Sequence, residues 1–215
     1  VTQRANVVLV GVTGQPVLAT ARFLCEAALH ANLDASCSES PSAAAGAGAL
    51  LVHARIGEAI HSPVIGDGEA DILVAFEQVE ALRAAHLLRP GGFAAVNERL
   101  IRTWRMRAGL EAAPASATSR LHAVTERVVG VRAESLVRRV DAASLIGFAL
   151  LGVVSPLLPV PWVAFDAAIE AMGGRGIDAR RQALARGRKL FEALPARLAA
   201  GAAPARADQA ERTGA

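Results

Sequence analysis

Gly11 and Gly14 in the stretch GVTGQP follow the apolar run NVVLV and precede a helical pattern. A glycine turn between a strand and a helix can aim backbone N–H groups at a phosphate, helped by the positive end of the helix dipole. The dinucleotide form needs G-x-G-x-x-G, so that a pyrophosphate can approach the main chain at the second glycine. Here the spacing is G-x-x-G, with Thr13 where a glycine would stand and Pro16, which has no N–H, just beyond. That favours a tight strand-to-helix corner, in which Gly11 and Gly14 relieve crowding and Gln15 closes the turn with a side-chain hydrogen bond. A ribose-binding carboxylate would stand at the end of the second strand. Glu39 lies there and Asp34 somewhat before it, and either also suits a solvated loop.

Other reactive side chains do not form recognisable sets. His30, His53, His61, His86 and His122 are scattered and lack metal-ligand spacing. Ser38, Ser40 and Ser42 have no accompanying His–Asp pattern, which leaves a hydrolase triad without support. Cys25 and Cys37, the only two cysteines, make no C-x-x-C pair and cannot by themselves assemble a zinc or iron–sulfur site. No catalytic residue and no metal site is therefore expected on this chain. Glu77 ends an apolar run, where open α/β sheets place ligands and where a following helix takes its cap. Both readings stand at this point. Gly66-Asp67-Gly68 reads as a turn.

Composition narrows the partners. Lys and Arg total 23 against 20 Asp and Glu, a net charge of +3, and Lys189 is the single lysine. Arginine and alanine richness of this kind is a compositional bias, and tyrosine is absent, so base-stacking platforms for nucleic acid are not expected. The basic cluster Arg180, Arg181, Arg186, Arg188 and Lys189 reads as a solvated helix face. Ser144 to Phe165 carries no charge and is long enough to span a bilayer, but Pro156, Pro159 and Pro161 would break the span. A buried helix ending near Ser155, a proline-bracketed loop and a new helix starting at Pro161 are expected instead. Val7 to Val10 is too short for a signal peptide, and a reducing cytoplasm is the expected compartment.

These residues need a scaffold, and the chain length of 215 suits one α/β domain. Short apolar runs predict buried strands at Asn6–Val10, Asp71–Phe76 and Phe93–Asn97. Further strands are expected at Asp34–Glu39, Leu50–Ile56 and Val128–Val131. Gly57-Glu58 is expected to fold Leu50–Ile56 back onto Ala59–Ser62 as a hairpin. Helical periodicity covers Pro16–Ala31, Glu77–Leu88, Ala133–Val140, Ala142–Ser155, Pro161–Met172 and Asp178–Leu198. The expected fold is a three-layer α/β/α domain over residues 1–198. Its mainly parallel, mixed sheet occupies about 5–131, a helical region 132–198, and a disordered tail 199–215.

The order of motifs also resembles a known family. NVVLVGVTGQPVLATARFLCEAALHANLD, then SES before a small-residue loop, then VHARIG, then SPVIGDGEADILVAFEQVEALRAAHLLRPGGFAAVN is similar to the gamma-type domain of 2-oxoacid:ferredoxin oxidoreductases. Within that family it resembles the small (beta) subunits of indolepyruvate-type members, and SLIGFALLGVVSPLLPVPWVAFDAAIEA resembles the helical region that follows there. The resemblance covers about residues 5–195. It implies oxidative decarboxylation of a 2-oxoacid to an acyl-CoA within a complex. A larger alpha-type subunit would carry thiamine diphosphate, Mg and 4Fe-4S clusters, and ferredoxin would accept the electrons. This chain would bind none of these alone, although Gly11, Thr13, Gly14, Gln15 and Glu39 would form a coenzyme A-facing or interface loop. The family's first motif commonly has glycines where Thr13 and Pro16 stand, and its second commonly has Gln-Arg where Ala45 and Gly46 stand. A stand-alone nucleotide- or coenzyme A-binding protein and a structural assembly subunit are the alternatives.

Overall fold

The computed structural model describes residues 4–40, 48–114, 116–137 and 142–199. Six strands form one mixed sheet: β1 (Ala5–Val12), β2 (Asp34–Ser40), β3 (Ala49–Gly57), β4 (Ala70–Ala75), β5 (Leu88–Asn97) and β6 (Val128–Val131). Their spatial order is β2-β3-β1-β4-β5-β6. β1, β4, β5 and β6 run parallel, and β3 is inserted antiparallel between β1 and β2. The apolar runs form the central strands because a parallel strand is buried on both faces. In β1, Val7 and Leu9 pack to one side and Val8 and Val10 to the other.

Helices cover both faces, as the three-layer expectation requires. One face carries α1 (Val17–His30), α5 (Ala133–Leu136), α6 (Ala142–Val154), α7 (Trp162–Met172) and α8 (Ile177–Glu192). The other carries α2 (Gln78–Arg83), a 3-10 turn at Ala85–Leu87, α4 (Ala117–Leu121) and the loop bearing Ile65. Two further short helices are α3 (Trp104–Arg107) and α9 (Ala196–Ala199). On the first face α6 and α8 approach so closely that side chains are excluded. A Cβ on Gly152 would lie 2.0 Å from the Leu184 carbonyl oxygen, and one on Gly187 would lie 2.0 Å from that of Ala149. The glycine inside the basic helix thus follows from packing against α6. The basic face itself is partly neutralised: Arg181 pairs with Asp166 and Glu170, and Arg188 with Glu192.

Several expected elements are corrected. Ala59–Ser62 is not a strand, because both edges of β3 are already occupied by β1 and β2. The chain there is held by side chains instead: Ile60 N–H donates to Asp34 Oδ2 at 2.7 Å, and Val64 N–H to Ser62 Oγ at 3.3 Å. The sheet is mixed through the antiparallel β3 alone. The helix expected over Glu77–Leu88 breaks after Arg83 into the 3-10 turn, and β5, expected from Phe93, already starts at Leu88. The helix expected over Asp178–Leu198 ends at Glu192, before Pro195, which lacks a donor and disfavours helical geometry in the residue ahead of it, and only the single turn α9 follows. The proline-bracketed stretch follows expectation, with α6 ending at Val154 and Pro161 capping α7. Among the described residues no helix is long and apolar enough to cross a membrane. The expected helical residues 138–140 and the tail from 200 onward lie outside the described residues.

Candidate functional site

The parallel strands deliver Val12, Ala75, Asn97 and Val131 to one end of the sheet, and the antiparallel β3 brings its first residue, Ala49, to the same edge opposite Val12. The strand-to-helix corner after β1 sits there. Gln15 Oε1 accepts the Val12 N–H at 2.8 Å, and Gln15 Nε2 donates to the Phe76 carbonyl at 3.1 Å, tying β1 to the end of β4. Gly11 must lack a side chain, since a Cβ would lie 2.6 Å from Gln15 Oε1 and 2.8 Å from Val17 Cγ2. Gly14 adopts φ +91°, a backbone region that side chains disfavour. Thr13 bonds the Gly48 carbonyl through both its N–H, at 2.6 Å, and its Oγ1, at 3.0 Å.

This network bears on the phosphate question. The N–H groups of Val12, Thr13, Gln15 and Val17 all donate inside the protein, and Pro16 has none. A phosphate nest needs several amides turned outward together. The corner instead spends them on its own shape, as the Gln15 expectation held. Thr13 and Gly14 are exposed and form its outer tip. Glu39 does not join them: it lies opposite Val52, which pairs with Leu9, so it sits level with mid-β1 on the outer strand.

The next segment of the edge is a buried polar seam. Glu77 is only 1% exposed. Its Oε2 accepts the N–H groups of Val79 and Glu80 at 2.6 and 3.0 Å, and its Oε1 accepts that of Ile101 at 2.9 Å. The capping reading of Glu77 therefore holds, and the ligand reading is overturned because both carboxylate oxygens are engaged and enclosed. Asn97, fully buried, donates to the Phe76 carbonyl and to Glu134 Oε1, and accepts the Ala133 N–H. Sequence reasoning missed Asn97. Its signal was an amide closing an otherwise apolar strand. The seam carries no group free to act on a substrate and serves to hold the loops at this edge.

Elsewhere the reactive residues are structural. His53 is buried, and its Nδ1 accepts the Ile65 N–H at 3.3 Å. Burial, and then the nearby Arg55, hold its pKa below the usual 6.5, so the ring stays neutral. Cys25 on α1 faces Cys37 on β2; burial and the neighbouring sulfur push its pKa up to about 12, which makes it a poor nucleophile. Among the described residues no group of three or more His, Cys, Asp or Glu is placed to hold a metal. A groove of 520 Å³ lies between α1 and α7, floored by Leu18, Phe23 and Met172 and rimmed by Arg22 and Glu26. A smaller hollow of 170 Å³ continues it to Pro16, beside the corner.

Comparison with known proteins places this architecture. The chain is 30% identical over 189 residues to the indolepyruvate oxidoreductase subunit IorB of Archaeoglobus fulgidus, covering 86% of this chain and 94% of that one. Its fold is similar to that of the gamma subunit of a keto/oxoacid ferredoxin oxidoreductase from Geobacter sulfurreducens, with a TM-score of 0.65 at 17% identity over 88% of this chain and 99% of that one. It is similar again to part of the 2-oxoglutarate:ferredoxin oxidoreductase of Magnetococcus marinus, with a TM-score of 0.65 at 14% identity over 90% of this chain but 32% of that longer one. Residues 6–190, from β1 almost to the end of α8, match the family described as pyruvate ferredoxin/flavodoxin oxidoreductase, and the chain belongs to that family.

Proposed function

We propose that this chain is the small, thiamine-free subunit of a 2-oxoacid:ferredoxin oxidoreductase acting on an aryl 2-oxoacid of the indolepyruvate type. The observation that carries the reading is the end-to-end likeness to a subunit named for that reaction, 94% of which this chain covers. The residues present do not fit the complex's redox groups. A four-thiolate cluster needs four cysteines, whereas this chain has two, both free thiols, Cys25 on α1 and Cys37 on β2. Thiamine diphosphate with Mg, which removes carbon dioxide from the 2-oxoacid, and the 4Fe-4S clusters that pass electrons to ferredoxin are therefore assigned to a larger alpha-type subunit. That a similar fold forms about a third of the Magnetococcus enzyme chain supports such an arrangement.

In this reading the chain's own residues present a rigid edge. Gln15, Glu77 and Asn97 fix the loops, and the exposed Thr13 and Gly14 form the surface turned to the larger subunit or to coenzyme A, with Gly11 and Gln15 shaping the corner behind them and Glu39 apart from it on the outer strand. With the amides of Val12, Thr13, Gln15 and Val17 engaged, the corner contributes shape and a threonine hydroxyl more than a phosphate cradle. Ala45 and Gly46, which replace the family's Gln-Arg, lie outside the described residues. Losing that arginine removes a donor fork suited to phosphate or carboxylate, and we infer an altered use of the acyl acceptor. The complex would work in the cytoplasm.

Co-expression with the larger subunit tests both statements. The purified pair should reduce ferredoxin in the presence of an aryl 2-oxoacid, and neither chain should do so alone. Turnover by this chain unaided would refute the subunit reading. Full dependence of the pair on coenzyme A would remove the inference about the acyl acceptor.

A further inference from the structure

Beyond β5 the chain leaves the sheet as an arm, Glu98 to Glu111, that packs little apolar surface. Trp104 and Leu110 are 62% and 61% exposed, the first opening the single turn of α3 and the second lying just beyond its end. Exposed aromatic and aliphatic side chains on one short, well-formed segment suit an interaction surface. The arm is nevertheless well formed. Thr103 Oγ1 caps α3 by accepting the Met106 N–H at 3.2 Å, and Leu110 N–H donates to the Arg105 carbonyl at 2.9 Å. The Arg105 guanidinium lies 5.6 Å from the Trp104 ring centroid, and Arg107 Nε donates to the Arg102 carbonyl at 3.1 Å.

Its root is fixed to the carboxyl edge of the sheet. Glu77 Oε1 takes the Ile101 N–H, Gln78 N–H donates to the Arg99 carbonyl, and Gln78 Nε2 donates to the Glu98 carbonyl at 2.8 Å. A preformed arm keeps a partner from having to order it on binding. The arm also carries a sign: Arg99 and Arg105 pair with Glu134 and Glu111, and Glu98 with Arg132, which leaves the positive charge of Arg102 and Arg107 without a carboxylate partner among the described residues. Tryptophan and arginine are the residue types that anchor interfaces.

We propose that this arm is the anchor by which the chain docks on the larger subunit, with Trp104 and Leu110 entering an apolar pocket rimmed by carboxylates. The assignment rests on the subunit reading above. It adds the contact surface and the chemistry of the surface it meets. The charge of the arm selects an acidic rim, and its root continues the same sheet edge as the corner at Gly11–Gln15.

The test uses the co-expressed complex. Affinity between the subunits is measured by titrating the purified chain against the larger subunit, for the wild type, for the double variant Trp104→Ala/Leu110→Ala, and for Arg102→Glu/Arg107→Glu. Val163→Ala, at a residue 72% exposed on α7, is the control. The apolar double variant should weaken association by roughly 30-fold or more, in the range of interface anchors. The charge-reversed variant should slow association most at low salt, and Val163→Ala should change neither. All three should keep the wild-type melting temperature, since the substituted side chains are exposed. Wild-type affinity in the Trp104/Leu110 variant would overturn the arm while leaving the subunit reading intact. A wild-type chain that never assembles with the larger subunit would remove both. A self-associating wild-type chain made monomeric by Trp104→Ala/Leu110→Ala would show that the arm meets a second copy, and would also overturn the proposal.

Discussion

On one face of the sheet Ile72, Phe93 and Val131 lie under α1, α6, α7 and α8, whereas on the other Leu73, Val96 and Val128 are covered by α2, α4 and the loop bearing Ile65. The first face is closed by long helices that touch backbone to backbone at Gly152 and Gly187. The second is closed by short elements held through polar ties, among them the Ile65 N–H on His53 and the Ala117 N–H on Gln78 Oε1. The difference separates two kinds of vulnerability. Volume errors should be costly on the helical face, and polar or protonation errors on the thin one.

The comparison is broken most directly at the helix contact. Gly187→Ala would place a methyl 2.0 Å from the Ala149 carbonyl oxygen. It should destabilise by about 3 kcal/mol or more, against the few tenths gained from helix propensity. Urea denaturation checks this, and a loss under 1 kcal/mol would mean that α6 and α8 can part freely. Next in size are truncations of the two cores. Phe93→Ala, under the helices and against Phe191, should cost about 4 kcal/mol. Leu121→Ala on the opposite face should fall nearer 2 kcal/mol, since α4 is one short helix that can settle into the gap. Equal losses would erase the distinction between the faces.

The smallest effects are those of pH, and they carry opposite signs on the two faces. Because the folded His53 has a lowered pKa, the unfolded chain binds the extra proton first, and stability should fall as pH drops below 6.5. On the helical face, Cys25 ionises at 9.0 when unfolded and at about 12 when folded, so stability should fall as pH rises above 9.0. His53→Gln should flatten the acid arm of a melting-temperature profile and Cys25→Ala the alkaline arm. A profile unmoved by both substitutions would contradict these assignments.

Much of the fold was legible because burial on two faces writes itself as an apolar run, as in NVVLV and DILVAF. The corner was legible too, since a glutamine between glycine and proline has few other uses. The insertion of β3 between β1 and β2 was not, because pairing partners are set by long-range packing and the Gly57-Glu58 signal says only that a strand ends. The arm escaped notice for a related reason: α3 and α4 are held by caps at Thr103 and Ser116, and single turns show no periodicity. Glu77 could not be decided from sequence, because cap and ligand ask for the same side chain at the same place. Gly152 and Gly187 were the unused signal, as interior glycines in strong helical patterns point to a neighbour at close range.

Glu77 joins two structures with one carboxylate, the start of α2 and the root of the arm at Ile101. Exchanging its second oxygen for an amide would set a donor against a donor at one of the two, so even Glu77→Gln would force a choice between them. The thin face and the outward-reaching segment are thereby mechanically coupled, and a load applied to Trp104 would reach the opening turn of α2 as well as the strand that feeds the arm.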